Sequence, residues 1–169
     1  MIGSGSLAED DPREALAEEL GEALVDAGYR VVCGAQSGVM AAAARGARRS
    51  DRAAGADVVG IVPSGRPEDA NPWIDIAIPT SLGHYRNGIV AHGEAVVAIG
   101  GGAGTLAEMA LAWVFDRPVL AFRVDGWSGK LADERIDDRI RFPGMPGDRV
   151  YGVSTAAEAV TVLASVLPP

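Results

Sequence analysis

A chain of 169 residues, 48% hydrophobic and 22% charged, has the composition of an ordinary globular protein, and one domain spanning 1–169 would bury roughly 70% of its unfolded surface. A net charge of −8 leaves no basic stripe for the phosphates of nucleic acid, so nucleic acid is not an expected partner. Cys33 is the single cysteine and excludes an intrachain disulfide; with no apolar run reaching the roughly 18 residues of a membrane helix and no signal-peptide pattern, the expectation is a cytoplasmic protein without membrane association.

Short β-branched runs alternate with helical patterns from the first residue onward, the signature of βαβ units and a parallel sheet. Met1-Ile2 reads as the last step of a strand, followed by the loop Gly3-Ser4-Gly5-Ser6. Asp10 or Asp11 caps a helix with Pro12 in its first turn; Leu16, Leu20, Ala23, Leu24 and Ala27 recur at helical spacing until Gly28. Tyr29 to Cys33 is a second strand, Gly34 to Gly38 a second tight loop, and Val39 to Arg49 an alanine-rich helix. Asp57 to Val62 is an apolar run expected of a strand covered on both faces. Pro63 to Pro72 is a loop, Ile74 to Ile78 a strand, Leu82 to His92 a helix, and Ala95 to Ile99 the most apolar strand. After Gly100–Gly104 come a helix over Leu106 to Phe115 and a strand over Pro118 to Phe122. Asp125 to Asp148 is read as a long loop with a short helix around Ala132–Ile140. Val150–Val153 is read as an edge strand and Thr155–Leu167 as a closing helix.

Three of these loops share one layout, in which a strand ends, glycines follow and a helix begins: Gly3-Ser4-Gly5-Ser6, Gly34-Ala35-Gln36-Ser37-Gly38 and Gly100-Gly101-Gly102-Ala103-Gly104-Thr105. Glycine lets an anion approach main-chain N–H groups, and the helix start that follows offers free N–H groups and partial positive charge. In a parallel sheet such loops gather at the carboxyl ends of the strands. The third loop, with four glycines in five positions, is the strongest candidate for a small phosphate-bearing ligand. Glu108 has two readings: a capping box with Thr105, or a carboxylate aimed at the anion loop. Arg86 likewise reads as a planar fork for an anion or as a solvated surface arginine. His84 and His92 lack metal-site spacing. Lys130 is the single lysine among 15 basic residues, which argues against Schiff-base chemistry of the pyridoxal kind.

The stretch Gly101-Gly102-Ala103-Gly104-Thr105-Leu106-Ala107-Glu108 resembles the PGGxGTxxE signature of the Lonely Guy family, cytokinin-nucleotide phosphoribohydrolases once mislabelled lysine decarboxylases. Gly34…Gly38-Val39-Met40, Asn71-Pro72, Ile78-Pro79-Thr80, Arg86-Asn87 and Ala98–Gly102 extend the resemblance to the branch of that SLOG superfamily close to molybdenum cofactor carrier proteins. The resemblance implies a Rossmann-like α/β fold, a three-layer αβα sandwich with a mostly parallel sheet. It implies a catalytic pair Arg86 and Glu108, with phosphate held by Gly101, Gly102, Gly104 and Thr105; Gly3, Ser4, Gly34 and Gly38 of the first two loops, together with Asn87 and Ala103, are further candidate ligand contacts. Gly100 stands where the signature has proline and Asn87 where it has lysine, and the first strand is shorter than in relatives. Two functions follow as expectations. One is hydrolysis of the N-glycosidic bond of a nucleoside monophosphate; the other is non-catalytic carriage or sensing of a phosphate-bearing cofactor such as molybdenum cofactor. Lysine decarboxylation is not expected. A homodimer or homotetramer is implied, and the apolar helix carrying Met109, Leu111, Ala112, Trp113 and Phe115 would supply part of its interface.

Overall fold

Among the described residues, short apolar runs form seven strands, and every strand pair is parallel. The computed structural model describes residues 1–145 and 147–167. In chain order these form β1 (Ile2–Gly3), α1 (Pro12–Asp26), β2 (Val31–Cys33), α2 (Val39–Ala47), β3 (Val58–Val62), β4 (Ile76–Pro79), α3 (Asn87–Val90), β5 (Val96–Ile99), α4 (Ala103–Val114), β6 (Val119–Phe122), α5 (Trp127–Leu131), β7 (Tyr151–Val153) and α6 (Ala156–Val166). Single 3₁₀ turns occupy Pro67–Asp69 and Gly83–Arg86.

Two ladders, β1-β5-β6-β7 and β2-β3-β4, meet edge to edge. The Met1 amino nitrogen donates to the Val32 carbonyl at 2.8 Å, and the Val39 N–H donates to the Ser4 carbonyl at 3.0 Å. The strands therefore run β4-β3-β2-β1-β5-β6-β7 across the molecule. The chain winds outward from β1 to β4, then returns to β5 on the other side of β1. That reversal opens a crevice beyond the carboxyl ends of β1 and β5, the place where parallel sheets take ligands.

Side chains alternate across the pleat and build two cores. Val97 and Ile99 of β5, with Leu120 and Phe122 of β6, pack under α1, α2 and α6. Their neighbours Val96, Ala98, Val119 and Ala121 face α3 and α4, where Met109 and Trp113 are fully enclosed. The result is the three-layer αβα sandwich expected of a Rossmann-like fold. Among the described residues no helix is long and apolar enough to cross a membrane.

Three local expectations are corrected. The segment 82–92 is not one helix: it is the 3₁₀ turn Gly83–Arg86 followed by the single α-turn Asn87–Val90, as a stretch punctuated by Gly83, Gly88 and Gly93 has low helix propensity. No helix forms at 132–140. The Arg135 guanidinium there donates to the carbonyls of Asp137, Arg139 and Asp148, which folds the segment into turns, while a helix forms earlier at Trp127–Leu131. Helix α4 starts at Ala103, not Leu106, and this removes the capping box. Thr105 is inside the first turn, with its hydroxyl donating to the Gly3 carbonyl at 3.1 Å.

Candidate functional site

Direct hydrogen bonds join the three glycine loops at the carboxyl end of the sheet. Ser37 Oγ donates to the Gly5 carbonyl at 2.6 Å, tying the first loop to the second. The Gly101 N–H donates to Ser4 Oγ at 3.0 Å, and the Thr105 hydroxyl reaches Gly3, tying the first to the third. The third loop is also held from below. Gly100 N–H donates to Ser128 Oγ at 2.7 Å, and that hydroxyl donates to the Phe122 carbonyl at 2.8 Å. The N–H groups of Trp127 and Ser128 in turn bond the carbonyls of Gly101 and Gly100.

With its carbonyls engaged, the third loop turns its other side outward. Gly102, Ala103 and Gly104 are exposed. Gly102 is the N-cap of α4 and supplies no side-chain cap, so the first-turn N–H groups of Ala103, Gly104 and Thr105 have no partner among the described residues. A helix start left open in this way favours an anion. Gly101 makes the turn possible: its φ is +94°, and a Cβ there would collide with Thr105 Oγ1.

Arg86 comes from the 3₁₀ turn between β4 and α3 and is only 5% exposed. Its Nη1 donates to Glu108 Oε1 at 3.2 Å, and its Nη2 donates to the Gly34 carbonyl at 3.3 Å and to Gln36 Oε1 at 3.2 Å. Gly34 has no room for a side chain, because a Cβ would fall on the guanidinium. The buried Arg86 Nε has no partner among the described residues. Glu108 is 7% exposed. Burial pushes its carboxyl up to about 7, against the opposing pull of Arg86. Asn87 is buried next to Arg86, and Gly38 caps α2 at the far side of the second loop.

A model of the SLOG cluster4 family matches residues 1–142 of this chain. The chain belongs to the SLOG cluster4 family. An uncharacterized protein of Archaeoglobus fulgidus is 39% identical over 114 residues, covering 66% of this chain and 70% of its own length. Among solved structures, TM1055 superposes with a TM-score of 0.81 at 27% identity, covering 98% of this chain and 97% of that one. The molybdenum cofactor binding protein from the phototrophic bacterium Rippkaea orientalis gives 0.78 at 29% identity, covering 98% and 93%. The molybdenum cofactor carrier protein of Chlamydomonas reinhardtii gives 0.72 at 27%, covering 97% and 96%.

In this SLOG cluster4 protein, the residues expected from sequence, Gly3, Ser4, Gly34, Gly38, Arg86, Asn87, Gly101 to Thr105 and Glu108, converge at the carboxyl ends of the central strands. Three participants escaped the sequence reading. Gln36 lies inside a loop that was singled out, yet nothing local marks it as a partner of Arg86. Arg13 sits in α1 and reaches Ser4. Ser128 lies in a segment read as featureless loop. His92 packs its ring on Phe115 with centroids 4.7 Å apart. A hollow of about 1020 Å³ lies at the opposite end of the strands, lined by residues such as Met1, Val31, Val97 and Leu163.

Proposed function

We propose that this SLOG cluster4 protein binds a small phosphate-bearing ligand on the third glycine loop and holds it without altering it, as a carrier or sensor. The observation that carries the reading is the set of open N–H groups of Ala103, Gly104 and Thr105 at the start of α4. They lie one helical turn from Glu108 and its partner Arg86, a buried guanidinium whose Nε has no partner among the described residues. The phosphate would take the amides, with Gly102 and Gly104 leaving room for its oxygens. Molybdenum cofactor is the proposed ligand, because the similar proteins of Rippkaea orientalis and Chlamydomonas reinhardtii are described as binding or carrying it. Carriage is favoured over chemistry because these two similar proteins are described by the cofactor they bind or carry and not by a reaction.

A second reading rests on the same carboxyl. A buried acid held near pH 7 has the protonation behaviour of a general acid or base, which suits cleavage of the N-glycosidic bond of a nucleoside monophosphate. Arg86 would position the acid, and the α4 amides would fix the phosphate. A homo-oligomer and a cytoplasmic location belong to either reading. Tyr85, Ile89 and Val114 are exposed apolar residues around α3 and α4.

One experiment separates the readings. The purified protein is incubated with nucleoside monophosphates, ribose phosphate, inorganic phosphate and molybdenum cofactor, with melting temperature and free base followed in parallel. A raised Tm with phosphate ligands, retention of molybdenum through gel filtration and no released base support the carrier. Released base that disappears in Glu108→Gln supports the hydrolase. No rise in Tm with any phosphate compound overturns both.

A further inference from the structure

The hydroxyl of Ser4 has its acceptor capacity filled. Its Oγ accepts the Gly101 N–H at 3.0 Å and the Arg13 guanidinium, through Nη1, at 3.1 Å. A serine hydroxyl has two lone pairs and one proton. With both lone pairs occupied, the proton is its remaining hydrogen-bonding capacity, and no acceptor among the described residues takes it. Ser4 is half-buried, at the carboxyl end of β1 beside the third loop.

Arg13 is fixed independently of any ligand. Asp11 caps α1 by accepting the Arg13 backbone N–H at 3.0 Å, and its carboxylate takes the guanidinium through both Nε and Nη2. The Asp125 carbonyl lies 3.5 Å from Nη1. The charge of Arg13 is thus balanced by Asp11, and each of its nitrogens is committed to protein acceptors. An arginine so engaged has little left for an anion but holds its neighbours rigidly.

Thr105 makes the contrast. Its hydroxyl proton goes to the Gly3 carbonyl, so it has none to offer a ligand and contributes its backbone N–H instead. Three hydroxyls touch the third loop: Thr105 donates to the Gly3 carbonyl and Ser128 to the Phe122 carbonyl, and among the described residues Ser4 alone retains a proton for an incoming acceptor.

We propose that Arg13 is a positioning residue of the glycine crevice: by occupying a lone pair of Ser4 it directs the Ser4 hydroxyl proton outward, as a donor to an unprotonated oxygen of a ligand phosphate. The assignment rests on the phosphate reading of the third loop given above. It makes the first loop an active part of the anion site through a side chain rather than through its main chain.

Calorimetric titration with AMP as the probe tests this on wild type, Ser4→Ala, Ser4→Thr, Arg13→Gln and the double variant Ser4→Ala/Arg13→Gln, with Tm measured for each. Ser4→Ala is expected to weaken AMP about tenfold, in line with a hydrogen bond to a charged group, and Ser4→Thr to retain most of the affinity. Arg13→Gln is expected to weaken AMP several-fold in wild type and not at all on top of Ser4→Ala, since its effect passes through that hydroxyl. Asp11→Asn, which loosens the guanidinium without touching Ser4, is expected to give the same several-fold loss. Equal affinity in wild type and Ser4→Ala overturns the assignment, as does an Arg13→Gln effect of undiminished size in the Ser4→Ala background. A wild type that binds none of AMP, inorganic phosphate and molybdenum cofactor overturns the phosphate reading itself, and the assignment with it.

Discussion

The Arg86 guanidinium lies 3.2 Å from the Glu108 carboxylate, and both side chains are withdrawn from solvent. The pair joins two different elements, the turn before α3 and the middle of α4, beneath the second glycine loop. Because burial holds the Glu108 carboxyl near 7, the charge state of this pair changes within the physiological range.

The folded chain keeps a proton on Glu108 that the unfolded chain gives up above the ordinary value of 4.5. The folded state therefore binds more protons between those two values. Stability from this residue is fully present below about pH 4.5, falls as pH rises toward about 7, and levels off above it. Glu108→Gln removes the dependence. Urea unfolding at about pH 5 and about pH 8 is expected to show the variant gaining on wild type by of order 2–3 kcal/mol between the two. A difference that does not change with pH would contradict the buried, raised carboxyl.

Arg86→Ala strands Glu108 without its cation. Removing one partner of a buried pair costs about 3–5 kcal/mol when the other must stay charged. Glu108 escapes that cost at low pH by staying protonated, so the loss is expected to be large at about pH 8 and distinctly smaller at about pH 5. Chemical denaturation of the variant at both pH values checks it; equal losses would mean that Glu108 is ionised in both.

Gly101 and Gly104 are expected to respond in opposite directions to alanine. Gly101→Ala meets both a left-handed backbone and the Thr105 side chain, and should cost about 2 kcal/mol or more. Gly104 lies in the first turn of α4 with open space around it, and alanine there should stabilise the helix by up to about 1 kcal/mol. Its added methyl would crowd the open amides, so phosphate affinity should fall while Tm rises. Unchanged affinity in Gly104→Ala would place the anion elsewhere.

Arg141 serves as a control remote from the crevice. It is bonded twice to Asp148, at 2.9 and 2.7 Å, and its guanidinium lies 3.5 Å over the Trp113 ring. Arg141→Ala should lower stability by about 3–5 kcal/mol and expose the segment before β7 to limited proteolysis. AMP affinity of the folded variant should be unchanged.

The parallel sheet was readable because its central strands are short apolar runs rich in β-branched residues, as in Val58–Val62 and Val96–Ile99. The glycine clusters marked the turns that gather at the carboxyl ends of the strands. What escaped reading depends on contacts between distant residues. Gly102-Ala103-Gly104 is a poor helix start by propensity, and its helical geometry is set by Thr105 reaching Gly3 and by the Trp127 and Ser128 amides holding the loop's carbonyls. The spacing of Thr105 and Glu108 imitates a capping box, and only the true start of α4 shows otherwise. Helix α5 contains Gly129 and lacks a capping side chain. Its amides are anchored on the third loop, some 25 residues earlier. Arg13 and Gln36 carry no local signal at all; their partners come from other loops.

The bonds that tie Ser4 to Gly101 and Gly3 to Thr105 span 97 and 102 residues of sequence. Closing so long a separation is slow relative to local helix formation, so the cradle is complete only after more than half of the chain has left the ribosome. Any ligand that binds only the completed cradle would, by mass action, draw the last docking of the two halves toward completion.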